Sequence, residues 1–113
     1  MFSLNSSLTF YFYASPCDMR KSFNGLSGLV RNELGKEPTS GDVFIFLNKK
    51  RTHLKLLHWE RGGFVLYYKR LEQGTFTPPA FKGNNSCITW PQLVMMIEGI
   101  VVQKSTQKLR YSR

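Results

Sequence analysis

The chain has 113 residues, 42% of them hydrophobic and 14% aromatic, and its 16 Lys and Arg outnumber 7 Asp and Glu to leave a formal charge of +9. That length supports one compact core rather than two ordinary domains, and the apolar content excludes a wholly disordered chain. No apolar run approaches the roughly 18 to 20 residues of a membrane span, so the charge points to a polyanionic partner and away from a membrane protein.

The segment Met1 to Tyr13 has no basic residue and an aromatic run that alternates with polar residues. An export signal is therefore not expected, and a cytoplasmic location is. Leu8 to Tyr13 alternates and is rich in aromatic and β-branched residues, the pattern of a half-buried strand. Ser15-Pro16-Cys17-Asp18 then reads as a helix entry, with Ser15 as cap, Pro16 in the first turn and Asp18 facing the positive end of the dipole. Met19, Phe23, Leu26, Leu29, Val30 and Leu34 recur at spacings of three and four and predict one buried stripe, with Gly35 as a left-handed stop. Gly25 and Gly28 weaken this helix and are expected to permit close approach to a sheet.

Pro38 to Gly41 reads as a turn, and the uninterrupted apolar run Val43 to Leu47 as a central strand covered on both faces. Asn48-Lys49-Lys50-Arg51 is a polar connection. Thr52 to Trp59 and Phe64 to Leu71 are predicted strands joined by a tight hairpin at Glu60-Arg61-Gly62-Gly63, completing a three-stranded meander. With that loop, His53, Lys55, Leu57 and Trp59 share a face with Phe64, Leu66, Tyr68 and Arg70, while Leu54 and Leu56 point the other way. A slip of one residue would exchange the faces. Gly74 to Phe76 is a candidate short strand, and Pro78-Pro79 interrupts pairing before a loop at Lys82 to Ser86. Thr89 and Gln92 are spaced as a capping box for a short helix with Leu93, Met96, Ile97 and Ile100 on its apolar face and Gly99 as terminator. From Gln103 to Arg113 a basic, mobile tail is expected.

The fold class read from this order is α+β: an antiparallel meander sheet packed against one longer N-terminal helix and one short C-terminal helix. Residues 1–102 form a single domain in this reading and 103–113 its tail. Cys17 and Cys87 stand far apart, without the spacing of a zinc site, and are expected as thiols in a reducing compartment. No cofactor is expected.

Between Lys49 and Arg70 seven basic residues stand against one acid, Glu60. Lys49, Lys50, Arg51, Lys55, Lys69 and Arg70 are candidate phosphate ligands, with Arg20, Lys21 and Arg61 as further candidates. Trp59 and Tyr68 are candidates for base stacking or support. The bland alternative is a solvated strand edge on which Lys discourages aggregation. His53 and His58 lack acidic or cysteine partners at a recognisable spacing, and the scattered carboxylates do not make a two-metal site.

Taken in order, Asp18 to Leu26, Ser40 to Phe46, Leu54 to Glu60, Tyr68 to Gly74 and Gln92 to Ile100 resemble the TnpB-type accessory protein of the bacterial insertion-sequence family sixty-six, the second reading frame of those elements. The resemblance runs from about Leu4 to Ile100. Departures are Ser22 and Asn24 where the family often has Gly and Asp, Glu60 for a frequent Asp, and Thr75 for a frequent Arg. It implies a protein that assists transposition beside a separate, catalytic transposase. The expected partners are then DNA at the element ends, the transposase and other element-encoded proteins, with a second copy of the chain as a further candidate. Two other readings stand beside this one. In the first, the apolar hairpin face and the Leu93 to Ile100 helix dock on the transposase without DNA contact. In the second, a small basic ribonuclease uses His53 or His58 with Arg70 or Tyr68.

Overall fold

The computed structural model describes residues 4–79 and 86–98. In chain order the elements are β1 (Phe10–Phe12), α1 (Phe23–Asn32), β2 (Val43–Leu47), β3 (His53–Glu60), β4 (Gly63–Arg70), β5 (Cys87–Ile88) and α2 (Trp90–Glu98). The strands form one sheet in the order β4-β3-β2-β1-β5. β1 and β2 run parallel, and the remaining neighbours are antiparallel. The sheet is therefore mixed, which corrects the expectation of a purely antiparallel meander. The cause is the connection between β1 and β2, which carries a helix and brings the chain back in the same direction.

Both faces of the sheet are covered, each by one helix. Val43, Ile45 and Leu47 of β2 join Phe10, Phe12, Leu54 and Leu56 in a core that includes Leu93 and Met96 of α2. The intervening Phe44 and Phe46 join Leu57 and Cys17 in a second core with Leu26 and Val30 of α1. Every residue of β2 is buried, which is why its sequence shows no alternation.

The β3–β4 hairpin turns on two residues, Arg61 (φ 52°) and Gly62 (φ 81°), with Glu60 paired to Gly63. Positive φ at both positions is the twist-matched geometry that suits right-handed strands. His53 pairs with Arg70, Lys55 with Tyr68, Leu57 with Leu66 and Trp59 with Phe64, so the expected faces are the observed ones.

Helix α1 starts later than expected. From Cys17, whose N–H donates to the Leu47 carbonyl (2.9 Å), the chain still follows the end of the sheet. Asp18 Oδ1 then accepts the Arg20 backbone N–H (2.9 Å), a local turn that competes with helix. The helix begins at Phe23 with Ser22 in the cap position, and Phe23 is 43% exposed rather than in the core stripe. The helix also ends sooner than expected, at Asn32 with Glu33 as its cap; Gly35 lies beyond it, left-handed (φ 65°), where the Lys36 N–H donates to the Val30 carbonyl. Neither helical glycine meets the sheet. A Cβ on Gly25 would touch Lys21, and one on Gly28 would meet open space.

Gly74 to Phe76 is no strand. Phe76 is buried and its N–H donates to the Arg51 carbonyl (2.7 Å), which pins the crossing segment over the end of the sheet. β5, two residues long, is too short to leave a periodic trace in sequence. The capping box of α2 is present: Thr89 N–H donates to Gln92 Oε1 (2.8 Å), and Gln92 N–H to Thr89 Oγ1 (3.2 Å). The expected loop from Lys82, Gly99 and Ile100, and the basic tail lie outside the described residues, Ser86 excepted. Among the described residues no helix is long and apolar enough to cross a membrane.

Candidate nucleic-acid interface

The turn between β2 and β3 carries Lys49, Lys50 and Arg51, all exposed. The Arg51 N–H donates to the Asn48 carbonyl (3.0 Å), and Arg51 is left-handed (φ 59°). Asn48 braces the turn from beneath: its Oδ1 accepts the Thr52 and His53 N–H groups (2.8 and 2.9 Å), and its Nδ2 donates to Thr52 Oγ1 (3.1 Å). Among the described residues, no acid forms an ion pair with these three cations. They stand where the parallel strands β1 and β2 both end, a position at which open sheets with parallel strands leave a crevice. A cavity of about 130 Å³ lies there, lined by Ser15, Pro16, Asn48, Lys49, Arg51 and Pro78 among others.

The other basic residues of the hairpin separate into three groups. Lys55 is 5% exposed, and its Nζ donates to the carbonyls of Met19 (2.7 Å) and Lys21 (2.6 Å). That ammonium is consumed in holding the segment before α1, so it is no accessible phosphate ligand. Lys69 is partly buried and its Nζ donates to the Ile97 carbonyl of α2 (2.8 Å), which ties β4 to that helix. Arg61 sits on the hairpin tip, one strand length or roughly 23 Å from the Lys49 to Arg51 turn. Arg70, opposite His53, lies at the near end and pairs with Glu72 (3.0 Å), both exposed.

Arg20 and Lys21 reach the same end through Lys55. Arg20 is exposed and holds Asp18 bidentately; its side-chain hydrogen bonds lead, and backbone N–H and charge add to them, in lowering the Asp18 carboxyl to about 2. Burial pushes the thiol of neighbouring Cys17 up, against the lowering influence of Lys21 and Lys55. Cys17 and Cys87 form no disulfide. Trp59 is half-buried edge-on to Phe64 (4.9 Å), a packing role. Tyr68 is 53% exposed, with the Lys55 ammonium 4.6 Å from its ring centre and the His53 ring at 5.9 Å.

A family model described as IS66 Orf2 like protein matches residues 8–107 of this chain. The chain belongs to the IS66 Orf2-like family. It is similar to the uncharacterised protein y4jC of Sinorhizobium fredii, 32% identical over 85 residues that cover 75% of this chain and 73% of the relative. A second uncharacterised protein of that organism, y4hO, is 32% identical over 83 residues, or 74% and 72% of the two chains. No solved structure matches this chain significantly.

Membership connects this IS66 Orf2-like protein with the transposition machinery of IS66 elements, in an accessory role. The segments that carry the resemblance meet in space: Lys55, in one of them, holds the backbone of Met19 and Lys21, in another. Sequence reasoning missed two residues of this region. Asn48 has a readable signal, since Asn before a basic turn can bond backbone two or more residues on. Phe23 has none, because the helical stripe assigned it to the core. Of the histidines, His58 is 5% exposed, and its Nδ1 has no hydrogen-bond partner among the described residues. His53 has Thr52 Oγ1 2.8 Å from its Nδ1 and shares a face with Tyr68 and Arg70. No group of three or more His, Cys, Asp or Glu converges among the described residues.

Proposed function

We propose that this protein is a non-catalytic accessory factor of IS66 transposition that binds element DNA in the cytoplasm through the end of the sheet where β1 and β2 stop. Lys49, Lys50 and Arg51 are the primary phosphate ligands, and Arg20, Lys21 and Arg70 extend the surface. The observation that carries this reading is the braced turn of three successive exposed cations without an acid partner. Phosphate binding needs such accessible, uncompensated charge, and the net charge of +9 adds long-range attraction. The basic stretch 103–113 contributes non-specific attraction to the same polyanion.

The test is a salt titration of binding to element-end DNA and to unrelated duplex. Neutralising the triad as Lys49→Gln, Lys50→Gln and Arg51→Asn keeps a residue tolerant of positive φ at position 51. It should flatten the log-log salt slope by about 0.9 for each phosphate that is no longer neutralised. An unchanged slope in the folded triple variant would overturn the assignment.

A second reading, docking on the transposase, is favoured by one feature: β4 is an edge strand of eight residues among the described ones. An extended segment can add to such an edge. The surfaces first expected to dock are otherwise used, since Leu54, Leu56, Leu57, Leu93 and Met96 are buried in the two cores. Protein that ignores DNA at low salt but co-purifies with transposase after nuclease treatment would select this reading.

A further inference from the structure

Phe23 and Tyr68 are the two large hydrophobic side chains that stand exposed among the described residues, 43% and 53%. Single exposed aromatics are ordinary. These two are linked through the buried Lys55. Tyr68 lies on the α1 face of the sheet, one alternation beyond Leu66, and its ring sits over the Lys55 ammonium. That same ammonium holds the Lys21 carbonyl, two residues before Phe23. One buried cation thus contacts the Tyr68 ring and holds the backbone two residues before Phe23.

Charge surrounds them. Lys21 and Arg20 lie on the tied segment, and Arg70 follows Tyr68 by two residues on the same face of β4. Asp18 and Glu72 pair with Arg20 and Arg70; both ion pairs are solvent-exposed, so a phosphate competes with each carboxylate for the guanidinium. Lys21 is exposed and in no ion pair among the described residues.

We infer that this group, Tyr68 and Phe23 with Arg20, Lys21 and Arg70, is a platform for single-stranded DNA, the aromatic rings stacking on bases and the cations holding the backbone. Duplex offers phosphates, but its bases already stack on one another and present no free π-face. Exposed rings among cations therefore discriminate by strandedness, and without regard to base identity. The inference deepens the DNA-binding reading above and rests on it. It places the bases on Tyr68 and Phe23, and leaves Lys49 to Arg51 as a phosphate site that either form of DNA can use.

The experiment measures fluorescence anisotropy of the full chain with a labelled mixed-sequence single strand, its duplex, and an abasic strand of the same length. The single strand should bind more tightly than both others. Tyr68→Ala and Phe23→Ala should each weaken single-strand binding by about five-fold or more and reduce the ratio of single-strand to duplex affinity. Tyr68→Trp should retain it, and Tyr68→Leu, which keeps apolar bulk without a π-face, should not; circular dichroism checks that each variant is folded. An abasic strand bound as well as the natural one, or folded Tyr68→Ala binding like wild type, would overturn the platform while leaving the phosphate site standing. Absence of binding to every probe at low salt would overturn the DNA-binding reading itself.

Discussion

Lys55 shows how little a residue type says about its task. In sequence it belongs with the phosphate-binding cations, because it lies in a basic stretch on a strand. In the fold its strand position sends it toward the α1 face, where the chain before the helix supplies two carbonyls at hydrogen-bond distance. A buried ammonium is tolerated only with such partners, and removing it strands both acceptors. Lys55→Ala should therefore cost about 2 to 3 kcal/mol, read as a lower urea midpoint. Lys55→Arg should not restore it, since a planar fork cannot take the place of a compact ammonium between two carbonyls. A folded Lys55→Ala with unchanged stability and weakened DNA binding would return the residue to the phosphate surface.

Among the elements, the β3–β4 hairpin was the most legible. Paired glycines after Glu60-Arg61 marked the turn, and alternation from it placed Leu54 and Leu56 opposite Leu57. The turn also yields a prediction that separates charge from folding. Arg61 holds a left-handed conformation that costs a side chain with a Cβ about 1 kcal/mol. Arg61→Asn creates the favoured Asn-Gly pair and should raise stability by up to about that amount, measured by urea unfolding. Because the tip lies a strand length from the Lys49 to Arg51 turn, the same variant should leave the salt slope of DNA binding nearly unchanged. Helix α1 was less legible, for one local reason and one distant one. Pro16 and Asp18 are good helix-entry residues, but Asp18 turns back on the Arg20 N–H and Cys17 remains bonded to the sheet, so the entry signal is spent on a loop.

At the scale of the whole molecule, a charge of +9 on 113 residues works against compaction as well as toward a polyanion. Salt shortens the screening length to about 8 Å at physiological strength, so the protein without DNA should melt at a higher temperature as sodium chloride is raised from low levels. A melting temperature that falls instead would mean that exposed ion pairs outweigh self-repulsion. The amino-acid sequence by itself determined that the chain folds around β2, that a basic hairpin follows, and that α2 opens on a capping box. Those features rest on local chemistry: apolar runs, turn residues and reciprocal side-chain bonds. Only the tertiary structure decided that β1 pairs parallel to β2, and that Lys55 and Lys69 are tied to backbone carbonyls while Lys49 to Arg51 remain accessible. It also decided that Phe23 stands out of the core. The strand pairing and the tied lysines depend on partners distant in the chain, the Lys55 ammonium and the Lys21 carbonyl above all, and no local pattern records such a meeting.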